Sequence, residues 1–405
     1  MLEETILKQV DDQKRQIVNT LCELIAIPTA NPPGRSYRQC IQYLSTMLQA
    51  WEIEHRTITV PYKDNDRFSI IGSYGKGNKG LHFHGHYDVV PADSPDQFQP
   101  EVKNDSVYGR GSADMKSGLA AILFAIHIIK EMGIKPEGKL TFSIVPDEET
   151  GGKLGTEHLF KSGYLPLPST SLLGMVMPEP TSGKIWNASK GALTCRIRIK
   201  GKFAHVGLAH QGENAFEYMV TLANDFLKLK KKIDTRKTRL PIEPREANRS
   251  IMLIGGETGS GANFNTVPEN AFFTIDRRFN PEEKLEEVKQ EINQILDEHR
   301  EKGIKLETDV IQEADSSMSG TKTRVAEALQ QSIAYVTGKE PGFILCPGVC
   351  ETRFFTREGV PAYAYGPGLL EHAHSPKEFV ALNSVLDCTK IYALTALKLL
   401  TSMVT

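Results

Sequence analysis

Apolar positions along the chain change period several times, and those changes divide it into elements. Residues 12–26 and 37–50 carry apolar side chains at helix spacing. Gly80 to Val90 (GLHFHGHYDVV) reads as a buried strand, and Lys116 to Met132 as a long helix closed by Gly133. Lys139 to Val145 (KLTFSIV) and Leu172 to Met177 (LLGMVM) have strand character, with a short helix expected over Gly152 to Lys161. Strands and helices alternating at these lengths predict an α/β fold whose mostly parallel sheet is covered on both faces.

After Glu179 the pattern changes. Leu193 to Ile199 (LTCRIRI) alternates as a sheet with one wet face would. A helix follows over about 214–230, then strands at 250–254 and 271–275, a charged helix over 281–301 and a strand at 305–311. The order βαββαβ predicts a small α+β, ferredoxin-like sheet with helices on one side. Helical patterning returns at 325–336 and from 379 to about 400. The chain therefore reads as a discontinuous αβα catalytic domain, residues 1–189 and 314–405, interrupted by an inserted lid, residues 190–313.

Composition narrows the function classes. With 48 Lys plus Arg against 50 Asp plus Glu, the formal net charge is −2, and no field extends over the surface to attract nucleic acid. The longest apolar run, Gly118 to Ile129, has 12 residues and is too short to span a bilayer. The opening MLEETILKQVDDQKRQ is charged throughout and reads as an amphipathic helix rather than an export segment. Six scattered cysteines do not make a disulfide framework, and only Cys346 and Cys350 are close. The expected location is cytoplasmic, away from membranes and nucleic acid.

The acids and histidines are where chemistry gathers. His86 and Asp88 alternate along an extended segment and face the same way, so imidazole and carboxylate share a pocket. His82 and His84 share that parity but lie deeper, where hydrogen-bonded interior histidines are expected. Asp114 sits between a glycine-rich loop and a helix start, as either an N-cap or a ligand. Asp147-Glu148-Glu149 crowds three acids after a strand, which a cation or proton must offset, and Glu179 follows another strand. His86, Asp114, Glu149 and Glu179 thus fall at the strand ends where open α/β sheets form a ligand crevice. His372 and His374 offer nitrogen ligands from the C-terminal part. Two histidines and three carboxylates can hold two divalent ions if one carboxylate bridges, with zinc favoured and cobalt or manganese as substitutes.

These stretches resemble the metal-dependent deacylase and exopeptidase family of acetylornithine deacetylase, succinyl-diaminopimelate desuccinylase, aminoacylase and glutamate carboxypeptidase. The matching segments are GHYDVVP (85–91), GRGSADMKSG (109–118), PDEETGG (146–152), EP (179–180) and G-x-x-A-H with G-x-N-A (201–215). They continue with NTVP (265–268), DR (276–277), ETRFF (351–355) and AHSPKEF (373–379), in the family's order over nearly the whole chain. The resemblance implies one ion on His86 and Glu179, another on Glu149 and His374, and Asp114 bridging them, with Asp88 behind His86. It makes Glu148 the general base and His205 the group that polarises the scissile carbonyl, delivered from the partner in a lid-mediated homodimer. It assigns Asn265, Arg277 and Arg353 to the substrate, an N-acyl amino acid or a short peptide with a free carboxylate. Cys350 stands where the family keeps a small or hydroxyl residue, so the identity of the substrate does not transfer.

Overall fold

The computed structural model describes residues 2–63 and 65–401; residues 402–405, at the end of the span expected for the catalytic domain, lie outside it. The chain divides into two compact units. One runs to Asn187 and includes Ser319–Phe343 and the chain from Phe354 on; the other comprises Ala188–Met318 and Ile344–Arg353. The second unit is therefore a few residues longer at each end than the expected lid, and it takes in a later segment containing Cys346, Cys350 and Arg353.

The sheet of the first unit runs in the order Glu54–Val60, Arg67–Gly75, Lys139–Val145, Gly80–His86, Leu172–Pro180, Ala362–Gly366. The last four are parallel neighbours, as the alternating pattern predicts, while the first two join antiparallel and make the sheet mixed at that edge. The cause is local. The connection 61–66 is too short for a crossover and permits only an antiparallel pair. Glu54–Val60 (EHRTITV) lies at the edge with mostly exposed side chains, so it lacks the apolar run that marks the central strands.

Gly80–His86 is buried along its whole length. Leu81 and Phe83 join the main apolar core with the helix Lys116–Glu131 and the terminal helix Leu382–Leu400. On the opposite parity, His82 bonds Thr141 and Ser143, and His84 bonds Ser143 and Thr156, as interior histidines should. The terminal helix starts later than its pattern predicts, because Phe379–Ala381 first pairs as a short strand with Ser106–Tyr108.

Helix Lys116–Glu131 is anchored at its first residue. The buried Lys116 ammonium donates to the carbonyls of Leu24 and Ile27, each at 2.8 Å, at the C-terminus of helix Lys14–Ala26. Those carbonyls carry the negative end of the helix dipole, which a cation complements. Burial lowers the Lys116 pKa to about 8.

In the second unit four antiparallel strands run in the order Ile251–Ser260, Asn270–Phe279, Gly191–Lys200, Lys305–Ala314. In chain order that is 2-3-1-4, the ferredoxin-like arrangement. Leu193, Cys195, Ile197 and Ile199 alternate inward and form a core with helices Ala215–Ile233 and Leu285–Glu301. Among the described residues no helix is long and apolar enough to cross a membrane.

Candidate metal centre

Three parallel strands end at the same place. His86 closes Gly80–His86, Glu149 lies in the turn after Lys139–Val145, and Glu179 is near the end of Leu172–Pro180. That turn needs glycine: Gly151 and Gly152 have φ of 105° and 72°, and Gly152 N–H closes the loop onto the Asp147 carbonyl at 2.7 Å. Asp114 arrives from the loop before helix Lys116–Glu131. Gly118 lets that helix touch the strand carrying Glu179, since a Cβ there would lie 2.4 Å from the Pro178 oxygen. His374 follows the neighbouring strand Ala362–Gly366 and completes the cluster.

Asp114 is the centre of it. Its Oδ1 lies 3.2 Å from His86 Nε2, and its Oδ2 lies 3.2 Å from His374 Nε2. Glu179 Oε1 is 3.8 Å from His86 Nε2, and Glu149 Oε2 is 3.3 Å from His374 Nε2. His86 Nε2 and Asp114 Oδ1 are buried, yet neither has a hydrogen-bond partner. Ligand atoms of His86, Asp114 and Glu149 fall within 4.8 Å of one another. Buried polar atoms that converge on one point without bonding suit a cation. Imidazole and carboxylate are the donors that zinc, cobalt and manganese accept.

The electrostatics agree with a site built for positive charge. Burial raises the Glu179 and Glu149 pKa values, and the Asp114 charge pushes both further up. Asp114 itself stays low against its burial, held by the His374 and His86 rings. His86 is raised despite burial by facing Asp114 and Asp88. His374 is raised to about 11 by Asp114 and then Glu149. Protons on the two histidines therefore offset the acids where divalent ions would.

Asp88 stands behind His86, and it does more than the sequence reading gave it. His86 Nδ1 bonds the main-chain oxygen of Asp88 at 3.0 Å, while the nearer carboxylate oxygen is 3.4 Å away. That main-chain bond fixes the tautomer and leaves Nε2 as the ligand atom. The fully buried carboxylate also accepts the Glu148 and Glu149 amides at 3.2 Å each and the Asn31 side chain at 2.9 Å. It thus holds the turn that carries Glu148. His372 is no ligand candidate, because its ring packs on Phe379 with centroids 4.0 Å apart.

The remaining candidates belong to the second unit. His205 is exposed, and its Nδ1 accepts the Gly207 amide at 3.2 Å, so its outward Nε2 carries the proton. Asn265 sits beside it, its carbonyl accepting Val206 N–H at 3.0 Å. Arg353 is buried at the start of helix Thr352–Arg357. Arg277, expected to meet a substrate carboxylate, is 1% exposed and engaged by Glu283 and the Arg278 carbonyl. That is a correction with a simple cause: Arg277 shares strand parity with buried Ile275 and Phe279. Arg278, on the other parity, is 30% exposed and held in a two-point grip by Asp276 at 2.8 and 3.0 Å. Sequence reading missed it, although the alternation was there to be read.

Comparison with known proteins adds to this geometry. The profile of Peptidase family M20/M25/M40 matches residues 82–398. A probable succinyl-diaminopimelate desuccinylase of Staphylococcus aureus (strain MRSA252) is 25% identical over 408 residues, covering 94% of this chain and 96% of its own. The N-formyl-4-amino-5-aminomethyl-2-methylpyrimidine deformylase of Halalkalibacterium halodurans is 26% identical over 411 residues, covering 96% and 95%. Human carnosine dipeptidase 1 shares the fold, with a TM-score of 0.74 at 17% identity over 98% of each chain.

Proposed function

The chain belongs to peptidase family M20/M25/M40 and is a metal-dependent hydrolase of amide bonds; from that premise we propose that it deacylates N-acyl amino acids. The observation that carries this reading is the donor set around Asp114 with Glu148 on the adjacent turn. Two relatives near 25% identity bear the names desuccinylase and deformylase, which both denote removal of an acyl group.

We assign one ion to His86, Glu179 and Asp114, and a second to His374, Glu149 and Asp114, with zinc as the working metal. The support is that Asp114 offers one oxygen to each histidine. Ions held there would acidify a water and polarise the scissile carbonyl. Glu148 acts as the base: it takes the proton of the attacking water and returns it to the departing amine. Asp88 fixes that base through the two amides it accepts. His205 donates its Nε2–H to the developing oxyanion, and Asn265 orients the amide. Arg278 replaces Arg277 as the partner of the substrate carboxylate, its guanidinium aligned by Asp276 for a bidentate contact.

A homodimer through the second unit belongs to the same proposal, each protomer giving His205 to the other's site. It is supported by the edge strand Ile251–Ser260, which exposes Ile251 and Leu253, and by helix Ala215–Ile233, which exposes Phe216, Val220 and Leu227.

The test is hydrolysis of N-succinyl-diaminopimelate, N-acetylornithine and a dipeptide panel by protein reloaded with Zn2+ or Co2+. Preference for an acylated amino acid supports the proposal. Cleavage of dipeptides alone makes the chain a peptidase and overturns it.

A further inference from the structure

Two loops bring the shared carboxylate and one histidine together, and a single buried ion pair ties the loops. Glu378 is 2% exposed and Arg110 is 1% exposed. Glu378 Oε1 accepts the amides of Ala113 and Asp114 at 2.9 and 3.0 Å, so it grips the backbone of the central carboxylate itself. Its Oε2 accepts Arg110 Nη1 at 2.7 Å. The other reach of Arg110 is to the second loop, where the guanidinium donates to the Ser375 carbonyl at 3.3 Å and the His374 carbonyl at 3.4 Å.

We propose that the Arg110–Glu378 pair is a positioning device that sets the spacing of Asp114 and His374 and so the affinity of the ion between them. This rests on the ligand assignment above. Neither residue points a donor atom at the cluster; both act through the backbone of residues that do. A buried carboxylate and guanidinium leave no slack, because each loses its partner if either loop moves. The fork geometry of arginine matters here. It meets a carboxylate and two carbonyls at once, which the single ammonium of lysine cannot do in the same plane. His86 is outside the device, since among the described residues the side-chain hydrogen bonds and ion pairs of Arg110 and Glu378 go to the two loops and to Asp93, not to the strand Gly80–His86.

The two ions should therefore respond unequally. Arg110→Lys keeps the charge opposite Glu378 and gives up the contacts to the His374 and Ser375 carbonyls. Glu378→Gln weakens the grip on Asp114, which serves both ions.

The experiment titrates metal-stripped protein with Co2+, following the visible absorption and the bound ion count, alongside thermal melting of the stripped form. Wild type is expected to bind in two steps. Arg110→Lys should weaken one step by about tenfold or more, the usual scale for losing an outer contact of a metal ligand, and leave the other within about threefold. Glu378→Gln should weaken both steps. If it does not fold, the Arg110→Lys pattern decides alone. Unchanged steps in Arg110→Lys, or equal weakening of both steps in parallel with a lower melting temperature, would overturn the proposal. Wild-type protein that binds no Co2+ would instead overturn the ligand assignment beneath it.

Discussion

Replacing Asp88 by Asn separates two jobs that one residue could do for the site. If its carboxylate raised the basicity of His86, the substitution would weaken the ion on that histidine. The nearer contact of His86 Nδ1 is the main-chain oxygen, at 3.0 Å against 3.4 Å for the carboxylate, and main chain survives the change. The carboxylate accepts the Glu148 amide on Oδ1 and the Glu149 amide plus Asn31 on Oδ2. Asn keeps one acceptor, and putting it at Oδ2 sacrifices one contact rather than two. The lost contact is then the Glu148 amide, left facing an NH2 group. A hydrogen bond to a charged acceptor contributes about 1.5–3 kcal/mol, so the variant should be destabilised by roughly that amount. The turn carrying the base loosens, and a 1 Å misplacement costs about 10²-fold in rate. Asp88→Asn is therefore expected to melt lower and turn over about 100-fold more slowly while binding Co2+ with affinities within a few-fold of wild type. Calorimetry, metal titration and steady-state kinetics on one preparation check all three. A tenfold loss of metal affinity with normal turnover per loaded site would refute the reasoning.

Glu148→Gln keeps the volume of the base and removes its proton chemistry, so kcat should fall by about 10²–10⁴-fold with metal stoichiometry intact. Arg277→Ala should lower the melting temperature, since it empties a buried position and breaks the pair with Glu283, which keeps Arg236 and Ser250, whereas Arg278→Ala should raise KM with little change in stability; thermal melts and kinetics tell them apart. The stripped protein should also respond to pH. His374 is held up to about 11 and His86 is raised too, above the ordinary value of about 6.5, so their stabilising contribution is full below that value and fades as pH rises toward 11. Melting temperature without metal should fall between pH 7 and 9, and metal affinity should rise over the same window, because ions displace those protons. A flat melting profile would contradict this.

Much of the site was legible because strand ends carry it. Period-two parity put His86 and Asp88 on one face, and apolar runs marked the strands ahead of Glu149 and Glu179. Parity would equally have chosen Arg278 over Arg277, had Ile275 and Phe279 been used to define the inward face. Other features left no local trace. The edge strand Glu54–Val60 is too polar to announce itself. The strand Phe379–Ala381 extends a helical pattern and is recognisable only by its pairing with Ser106–Tyr108. Arg110 and Glu378 stand in motifs quoted from the sequence, yet they are 268 positions apart, and nothing in either motif names its partner. Nor can a sequence reveal that Asp88 meets the His86 ring most closely through its carbonyl while its carboxylate holds the turn of Glu148.

The proposed chemistry centres on Asp114 as the carboxylate shared between two ions, with Glu148 beside it as the base. Its most direct test counts ions and turnover together, in wild type and in Asp114→Ala, as stripped protein is titrated with Zn2+ or Co2+. Wild type is expected to reach full hydrolysis of its acylated substrate with two ions per chain. Asp114→Ala should lose affinity for both ions at once and lose turnover with them. Full turnover by thoroughly stripped wild type, or an Asp114→Ala variant that keeps both ions at wild-type affinity, would contradict it.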